Sequence, residues 1–356
     1  MSASSLCIKV TKINGEKTII LASKLGIVNR KFEIRKNRNH IYVPIIQQPK
    51  EKELSILKAQ VPGFQLATNV FTQKKQQRRS LAQVLENRLP QHLLASLPRA
   101  LDIVGGIAII EIPAELKAYE RLIGEAILTV HKNVRTVLAK AGAVSGTYRL
   151  REFKVIAGED KTATIHKEYG CKYHVDIAKA YFSPRLSQEH NRVASLVKKS
   201  ETVVDLFAGV GPFSVLIAKN NADAKVYAVD INPDAIEFLK RNIRLNRVEN
   251  RVIPILGNAR QTVEESLLGI ADRVVMNLPK KGLEFVDTAC KAMKPAGGMV
   301  HYYAFVRLSD SLGNVQLRFS EAVKKTGKKV VEFLSAKTIR ETAPYEWQVV
   351  LDVAII

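Results

Sequence analysis

From about residue 190 onward, short continuous apolar runs alternate with longer stretches in which apolar positions recur every three or four residues. The runs "TVVDLFA", "KVYAVD", "VIPILG", "ADRVVMNLP" and "GGMVHYYAF" read as buried strands, and "PFSVLIAKN", "PDAIEFLKRNIRLN" and "LEFVDTACKAM" as the helices between them. Strands separated by helices predict a parallel sheet covered on both faces. The closing "KVVEFLSAKTIRETAPYEWQVVLDVAII" holds two strand-like runs around an exposed loop, a pair that can add an antiparallel edge.

Upstream the pattern is less regular. "LCIKV", "GEKTIILASKLG" ending at Gly26, and "HIYVPI" predict strand, helix and strand, a small α/β unit over residues 1–65. "TQKKQQRRS" (72–80) opens a second segment, with four positive charges before Ser80 as a helix cap. Beyond it, "DIVGGIAIIEI" (102–112) predicts one strand and "PAELKAYERLIGEAILTVHKN" (113–133) a helix with apolar residues at Leu116, Tyr119, Ile123, Ile127 and Val130. "VRTVLAKAG" and "YRLREFKVIAG" continue a sheet, and "TATIHKEYGCKYHVDIAKAYFSP" predicts a hairpin through Tyr169 and Gly170. The expected domains are therefore 1–65, an α+β module at 66–190, and the strand-helix repeat at 191–356.

Charge changes the picture. The formal net charge is +21, with a pI near 9.8, and twelve Lys and Arg face four Glu in residues 1–65. Such an excess points to a polyanionic partner, and nucleic acid leads because Lys and Arg neutralise its closely spaced phosphates. No basic amphipathic helix or lipidation signal favours a membrane. Cys7, Cys171 and Cys290 are widely spaced and lack CxxC or His-rich company, so neither a disulfide framework nor a metal site is expected. The start "MSASSLCIKV" does not resemble a secretion signal, and a reducing, cytoplasmic setting is expected.

The strand ends carry the candidate chemistry. In "VVDLFAGVGPFS" (203–214), Gly209 and Gly211 allow a ligand close to the backbone at a helix start. The dinucleotide spacing G-x-G-x-x-G is not met, because Ser214 stands at its third glycine. Asp205 suits a primary ammonium, and Asp230, ending the next strand, suits the two hydroxyls of a ribose. Asn258 and Ala259 end a third strand at the same rim. An acid for an amino group, a glycine loop, an acid for a ribose and an amide near an adenine together describe S-adenosylmethionine. Asn277 ends the fourth strand in "RVVMNLPKKG", and Asn followed by Pro is similar to the Asn/Asp-Pro-Pro-aromatic motif of methyltransferases that act on base nitrogens.

Taken in order, "VDIAKAYFSPRLSQEHNRVA", "DLFAGVGPFSV", "AVDINPDAIEFLKRNIRLN", "MNLPK" and "GGMVHYY" resemble the archaeal and eukaryotic tRNA (guanine-37 N1)-methyltransferase family, over nearly the whole chain. The resemblance implies a Rossmann-like methyltransferase domain (α/β, parallel sheet with antiparallel edge), preceded by an α+β RNA-binding domain. The small N-terminal domain resembles one found in an archaeal subtype, where it contacts the outer corner of tRNA. Implied roles are Glu189 as general base, Arg149 on guanine O6 and Asn277 orienting the base. Implied cofactor contacts are His190, Asp205, Phe207, Gly209, Gly211, Asp230, Ile231, Asn258, Ala259, Asn277 and Pro279. Arg149, Tyr181, Arg185 and Asn277 are expected at the tRNA. Arg149 and Arg151 alternate in what reads as a strand, and periodicity does not choose which faces inward; Tyr181 stacks on the base or fills the core. His190 stands where relatives commonly carry arginine, and Asn258 where aspartate is usual.

The resemblance implies a monomer that binds the anticodon stem-loop and outer corner of tRNA and needs no metal. Three rivals remain: aminocarboxypropyl transfer in the wyosine pathway, methylation of a tricyclic intermediate at the same position, and a non-catalytic tRNA-binding protein.

Overall fold

Strand β1 (Ser2–Thr11) is central in a four-stranded antiparallel sheet ordered β2-β3-β1-β4, with β2 (Arg35–Lys36), β3 (His40–Pro44) and β4 (Gln65–Thr72). Helices α1 (Gly15–Lys24) and α2 (Glu51–Gln60) supply Leu21, Ala22 and Leu57 to a core with Ile8, Val10, Ile41 and Val43. Gly15 lets α1 pack closely on Ile41: a Cβ there would lie 2.1 Å from Ile41 Cδ1 and would make that side chain shift. This computed structural model describes residues 2–74 and 80–356, and its chain divides into Met1–Arg79 and Ser80–Ile356. The first unit therefore does not end at residue 65: β4 pairs with β1 from Gln65↔Lys9 to Thr72↔Ser2, so that pairing satisfies the inward backbone groups of the strand. Most of the basic run at 72–80 lies outside the described residues.

The second unit opens with α3 (Leu81–Leu85), capped by Ser80, whose Oγ accepts from Gln83 N–H while Gln83 reaches back to Ser80 N–H. After α4 (Gln91–Leu94) come β5 (Leu101–Val104) and β6 (Ile107–Ile110). The single strand expected over 102–112 is a hairpin, turned at Gly105 with φ of 55°. A Cβ on Gly105 would meet the Ile165 carbonyl oxygen at 2.4 Å, so the turn is fixed by close approach as well as by conformation. The expected helix over 113–133 is a 3-10 segment Ala114–Tyr119 followed by α5 (Glu120–Val130). With β7 (Thr136–Lys140) and β8 (Phe153–Gly158) the sheet order is β5-β6-β7-β8. Residues 148–152 are not strand: Arg149 sits at φ of 57° in a turn bridged by Ser145 and Leu150.

Strands β9 (Ala163–Glu168) and β10 (Cys171–Asp176) form the expected hairpin, with Tyr169 and Gly170 both at positive φ. Helix α6 (Ser187–Leu196) then leads to the large sheet, whose strands are β11 (Thr202–Asp205), β12 (Lys225–Asp230), β13 (Val252–Leu256), β14 (Arg273–Met276), β15 (Gly298–Arg307), β16 (Val330–Ala343) and β17 (Glu346–Ile355). Their order is β13-β12-β11-β14-β15-β17-β16; β13 through β15 are parallel and β17 is antiparallel to both neighbours. Chain direction across the sheet reverses at β11, which opens a crevice at the carboxyl ends of β11, β12 and β14. Helices α7 (Pro212–Asn220), α8 (Pro233–Asn246), α9 (Ala259–Ser266), α10 (Val286–Ala292) and α11 (Leu312–Lys324) complete the layers. The β9-β10 hairpin is tied to this core by two buried amides of α8: Asn242 and Asn246 exchange bonds of 2.6 to 3.1 Å with the backbone of His174 and Lys172. These bonds satisfy a strand edge that would otherwise be unpaired.

Candidate active site

The loop after β11 is shaped by two left-handed glycines, Gly209 at φ 56° and Gly211 at φ 89°. A Cβ on Gly211 would lie 2.4 Å from Leu239 Cδ1, so the turn admits no side chain. Asp205 is fully buried; its Oδ2 accepts from Ser214 Oγ at 2.7 Å while its Oδ1 has no partner. Burial drives the Asp205 carboxyl up to about 7, against the hydrogen bonds from Ser214 and the Phe207 amide, and the Asp230 charge adds to the rise. Ser214, which breaks the dinucleotide spacing, thus partners the aspartate. An orphaned buried acceptor is unusual and fits a ligand that brings an ammonium.

Asp230 ends β12 with Oδ2 accepting from Gly209 N–H at 2.7 Å and Oδ1 from Asn232 N–H at 2.9 Å. Burial raises its carboxyl, opposed by those amides. Both oxygens keep a second lone pair for ligand hydroxyls. Ile231 beside it is 41% exposed, an apolar platform at the rim. Phe207 meets Phe285 edge-on at 5.1 Å, and Ala259 and Pro279 are buried. Asn258 is engaged within the fold as the N-cap of α9, its Oδ1 accepting from Arg260 N–H at 3.0 Å. The unpaired Asp205 oxygen, glycine cradle, ribose-type acid and apolar platform fit S-adenosylmethionine.

Glu189 lies in α6 with a 5% exposed side chain. Its Oε2 accepts from Arg192 Nε at 2.9 Å and from the Tyr303 hydroxyl at 3.3 Å, and its Oε1 is 2.9 Å from Lys337 Nζ. Tyr303 follows Tyr302, which pairs with Met276, so Tyr303 stands beside the strand-ending Asn277. Asn277 Oδ1 is 3.5 Å from Gln348 Nε2 on β17. Glu189 and Asn277 thus share the rim of β14, β15 and β17. Arg149 lies across Tyr181, its guanidinium carbon 5.0 Å from the ring centroid. The Tyr181 carbonyl would be 3.7 Å from a Cβ on Gly209, which brings this pair to the glycine loop.

The description "TRM5/TYW2 methyltransferase domain" matches residues 164–331, "TYW2 N-terminal domain" matches 81–162 and "tRNA methyltransferase 5 N-terminal domain" matches 7–53. The chain is 40% identical to tRNA (guanine(37)-N(1))-methyltransferase Trm5b of Pyrococcus abyssi over 348 residues, covering 98% of each chain. The chain belongs to the TRM5/TYW2 methyltransferase family. The crystal structure of Trm5b from Pyrococcus abyssi superposes with a TM-score of 0.73 at 39% identity, covering 99% of each chain. The complex structure of aTrm5 and tRNALeu gives 0.72 at 34% identity, covering 98% of this chain and 99% of that one.

Within this TRM5/TYW2 fold, two more of the expected contacts have partners inside the protein. His190 is buried, with Nδ1 2.6 Å from Glu168 Oε1 and its ring edge-on to Phe213 at 4.6 Å. Burial would raise Glu168, but His166, 3.7 Å away, and the bond with His190 hold it below the usual carboxylate range. Arg185 pairs with Asp102 on β5. Sequence reading also missed Arg192, Tyr303, Lys337 and Asp352, all tied to Glu189 directly or through one partner. Signals existed for two of them: Arg192 follows Glu189 by three residues on one helix, and Asp352 interrupts the apolar "VVLDVAII", as His301 interrupts "GGMVHYY", where a polar residue inside a buried strand needs a partner.

Proposed function

We propose that the chain transfers a methyl group from S-adenosylmethionine to N1 of guanosine 37 in tRNA, with Glu189 as general base, Arg149 on O6 and Asn277 orienting the base. One observation carries this reading: a nearly buried carboxylate whose Oε2 is held from the protein side while Oε1 meets the half-exposed Lys337. When bound, the cofactor supplies an electrophilic methyl on a sulfonium. Guanine N1 carries a proton at neutral pH, so it has no free lone pair for attack. Glu189 Oε1 takes that proton, the negative charge left on the base is shared between N1 and O6, and it is consumed as the N1–methyl bond forms and the sulfur–methyl bond breaks. The Arg149 guanidinium, preset on the Tyr181 face, stabilises O6 and asks for little reorganisation. The proton then leaves Glu189 for solvent, which restores the base. Asp205 takes the cofactor ammonium on its free Oδ1, and Asp230 the ribose hydroxyls.

The basic N-terminal unit takes the outer corner of tRNA through phosphate contacts. The match of residues 81–162 to the TYW2 N-terminal domain favours one second reading, transfer of the aminocarboxypropyl group from the same cofactor. Nucleoside mass spectrometry of tRNA incubated with enzyme and cofactor separates the two by product mass. Glu189→Gln is expected to keep tRNA and cofactor binding and to lower the single-turnover methylation rate at least 100-fold, on the order of what a positioned base contributes. An unchanged rate removes Glu189 from the mechanism.

A further inference from the structure

Behind Glu189 the sheet face under α6 carries a stripe of buried ionic groups. Arg192 closes a two-bond fork on Asp352, Nη1 to Oδ2 at 2.5 Å and Nη2 to Oδ1 at 3.1 Å, while its Nε holds Glu189 Oε2. Asp352 on β17 faces His301 on β15 in direct register, with Oδ1 2.6 Å from Nδ1. His301 Nε2 meets Arg273 Nη1 at 2.8 Å, and Arg273 Nε reaches Glu201 at 2.8 Å. The arginine can only donate, so His301 Nε2 accepts and Nδ1 carries the hydrogen toward Asp352. Burial, chiefly, lowers His301 and keeps it neutral, with Asp352 opposing; the bonds from His301 and Arg192 outweigh burial and hold Asp352 at about 2.

Arg273, His301 and Asp352 are at most 4% exposed, among apolar neighbours such as Val275, Val350 and Val203. Apolar residues of similar size often serve stability as well as buried ions do, so such a stripe is poorly explained by folding alone. One end is anchored where Arg273 bonds Glu201 and the Leu196 carbonyl, and the other runs to Glu189. Each bond fixes the next group, and the last fixes a single oxygen of Glu189.

We propose that Asp352 is a positioning residue for the reaction: by clamping Arg192 it holds Glu189 Oε2 from behind, so that Oε1 alone is presented to the target base. This rests on the reading of Glu189 as general base. The test is single-turnover methylation of tRNA at saturating enzyme, with separate binding measurements for tRNA and cofactor, on Asp352→Asn, Glu189→Gln and the double variant. Asp352→Asn is expected to slow the chemical step by on the order of 100-fold, the effect of a misplacement of about 1 Å, with both dissociation constants unchanged. The double variant is expected to be no slower than Glu189→Gln, because Asp352 acts through that carboxylate. Should Asp352→Asn fold poorly, Arg192→Lys keeps the charge, loses the fork and is expected to slow the step in the same way. A wild-type rate in folded Asp352→Asn or Arg192→Lys, or a double variant slower by the product of the single effects, overturns the proposal while Glu189 stands. A wild-type rate in Glu189→Gln overturns both.

Discussion

Asp205 offers the sharpest quantitative test. Its carboxyl is raised from 3.8 to about 7 in the folded protein. A difference of about 3 units corresponds to roughly 4 kcal/mol at 1.36 kcal/mol per unit. Because the folded-state value lies above the unfolded one, the ionised form is disfavoured by folding. The penalty is absent below pH about 4, grows between about 4 and 7, and is complete above 7. In cofactor-free protein this group therefore makes stability fall as pH rises through that window. Asp205→Asn removes the charge but keeps an oxygen for Ser214. The variant should lose this component of the pH dependence and, at pH 8, gain stability bounded by about 4 kcal/mol. Cofactor reverses the sign, since an ammonium on Oδ1 favours the carboxylate. Binding at pH 6 should expel close to one proton from Asp205, and binding at pH 8 almost none. Thermal unfolding of both proteins between pH 5 and 8.5 measures the first effect. Titration calorimetry in buffers of different ionisation enthalpy measures the second. Equal pH slopes for the two proteins without cofactor, or no proton release at pH 6, would refute the assignment of an unpaired, ligand-seeking carboxyl.

Two further outcomes follow from local geometry. Gly211→Ala places a Cβ 2.4 Å from Leu239 Cδ1 at φ of 89°, and is expected to lower stability by about 1–3 kcal/mol and weaken cofactor binding; denaturant unfolding and calorimetry check this. Arg149→Lys keeps the charge but loses the planar fork on Tyr181, and is expected to slow single-turnover methylation about 10-fold or more with tRNA affinity little changed. A wild-type rate in that variant would leave O6 without its assigned donor.

The parallel sheet was legible because its strands are unbroken apolar runs, buried on both faces, and the helices between them repeat at 3.6 residues. Glycine pairs were harder. The apolar run across Gly105 and Gly106 reads as one strand, although the positive φ at Gly105 folds it into a hairpin. Alternation misled at "YRLRE", where Tyr148, Arg149, Leu150 and Arg151 imitate a strand while Arg149 occupies the left-handed region in a turn. Arg149 and Arg151 therefore do not alternate across a strand; the turn brings Arg149 onto Tyr181. That Asp205 and Asp230 end strands was legible from position alone. Arg192 stands three residues after Glu189 on one helix, but Tyr303 and Lys337 beside Glu189 and Asp352 beside Arg192 come from β15, β16 and β17, and only sheet order joins those. The Asn258 side chain also caps a helix, a role its position alone did not suggest.

Scarcity of acid serves two ends in this chain. With 34 Asp and Glu against 55 Lys and Arg, the surface is strongly positive, and partitioning makes it more so. Among the described residues, Glu168, Glu189, Asp205 and Asp352 are buried, whereas Arg273 is the one buried Lys or Arg. Moving negative charge inward leaves the accessible face more basic than the chain's +21 implies, which strengthens attraction to RNA over distances up to a Debye length. Inside, the same carboxylates are screened little by salt: Asp205 lies under the glycine loop, and Glu189 and Asp352 share Arg192. Ionic strength should therefore govern encounter with RNA and leave the chemical step nearly untouched, because the charges that steer and the charges that act occupy separate dielectric environments.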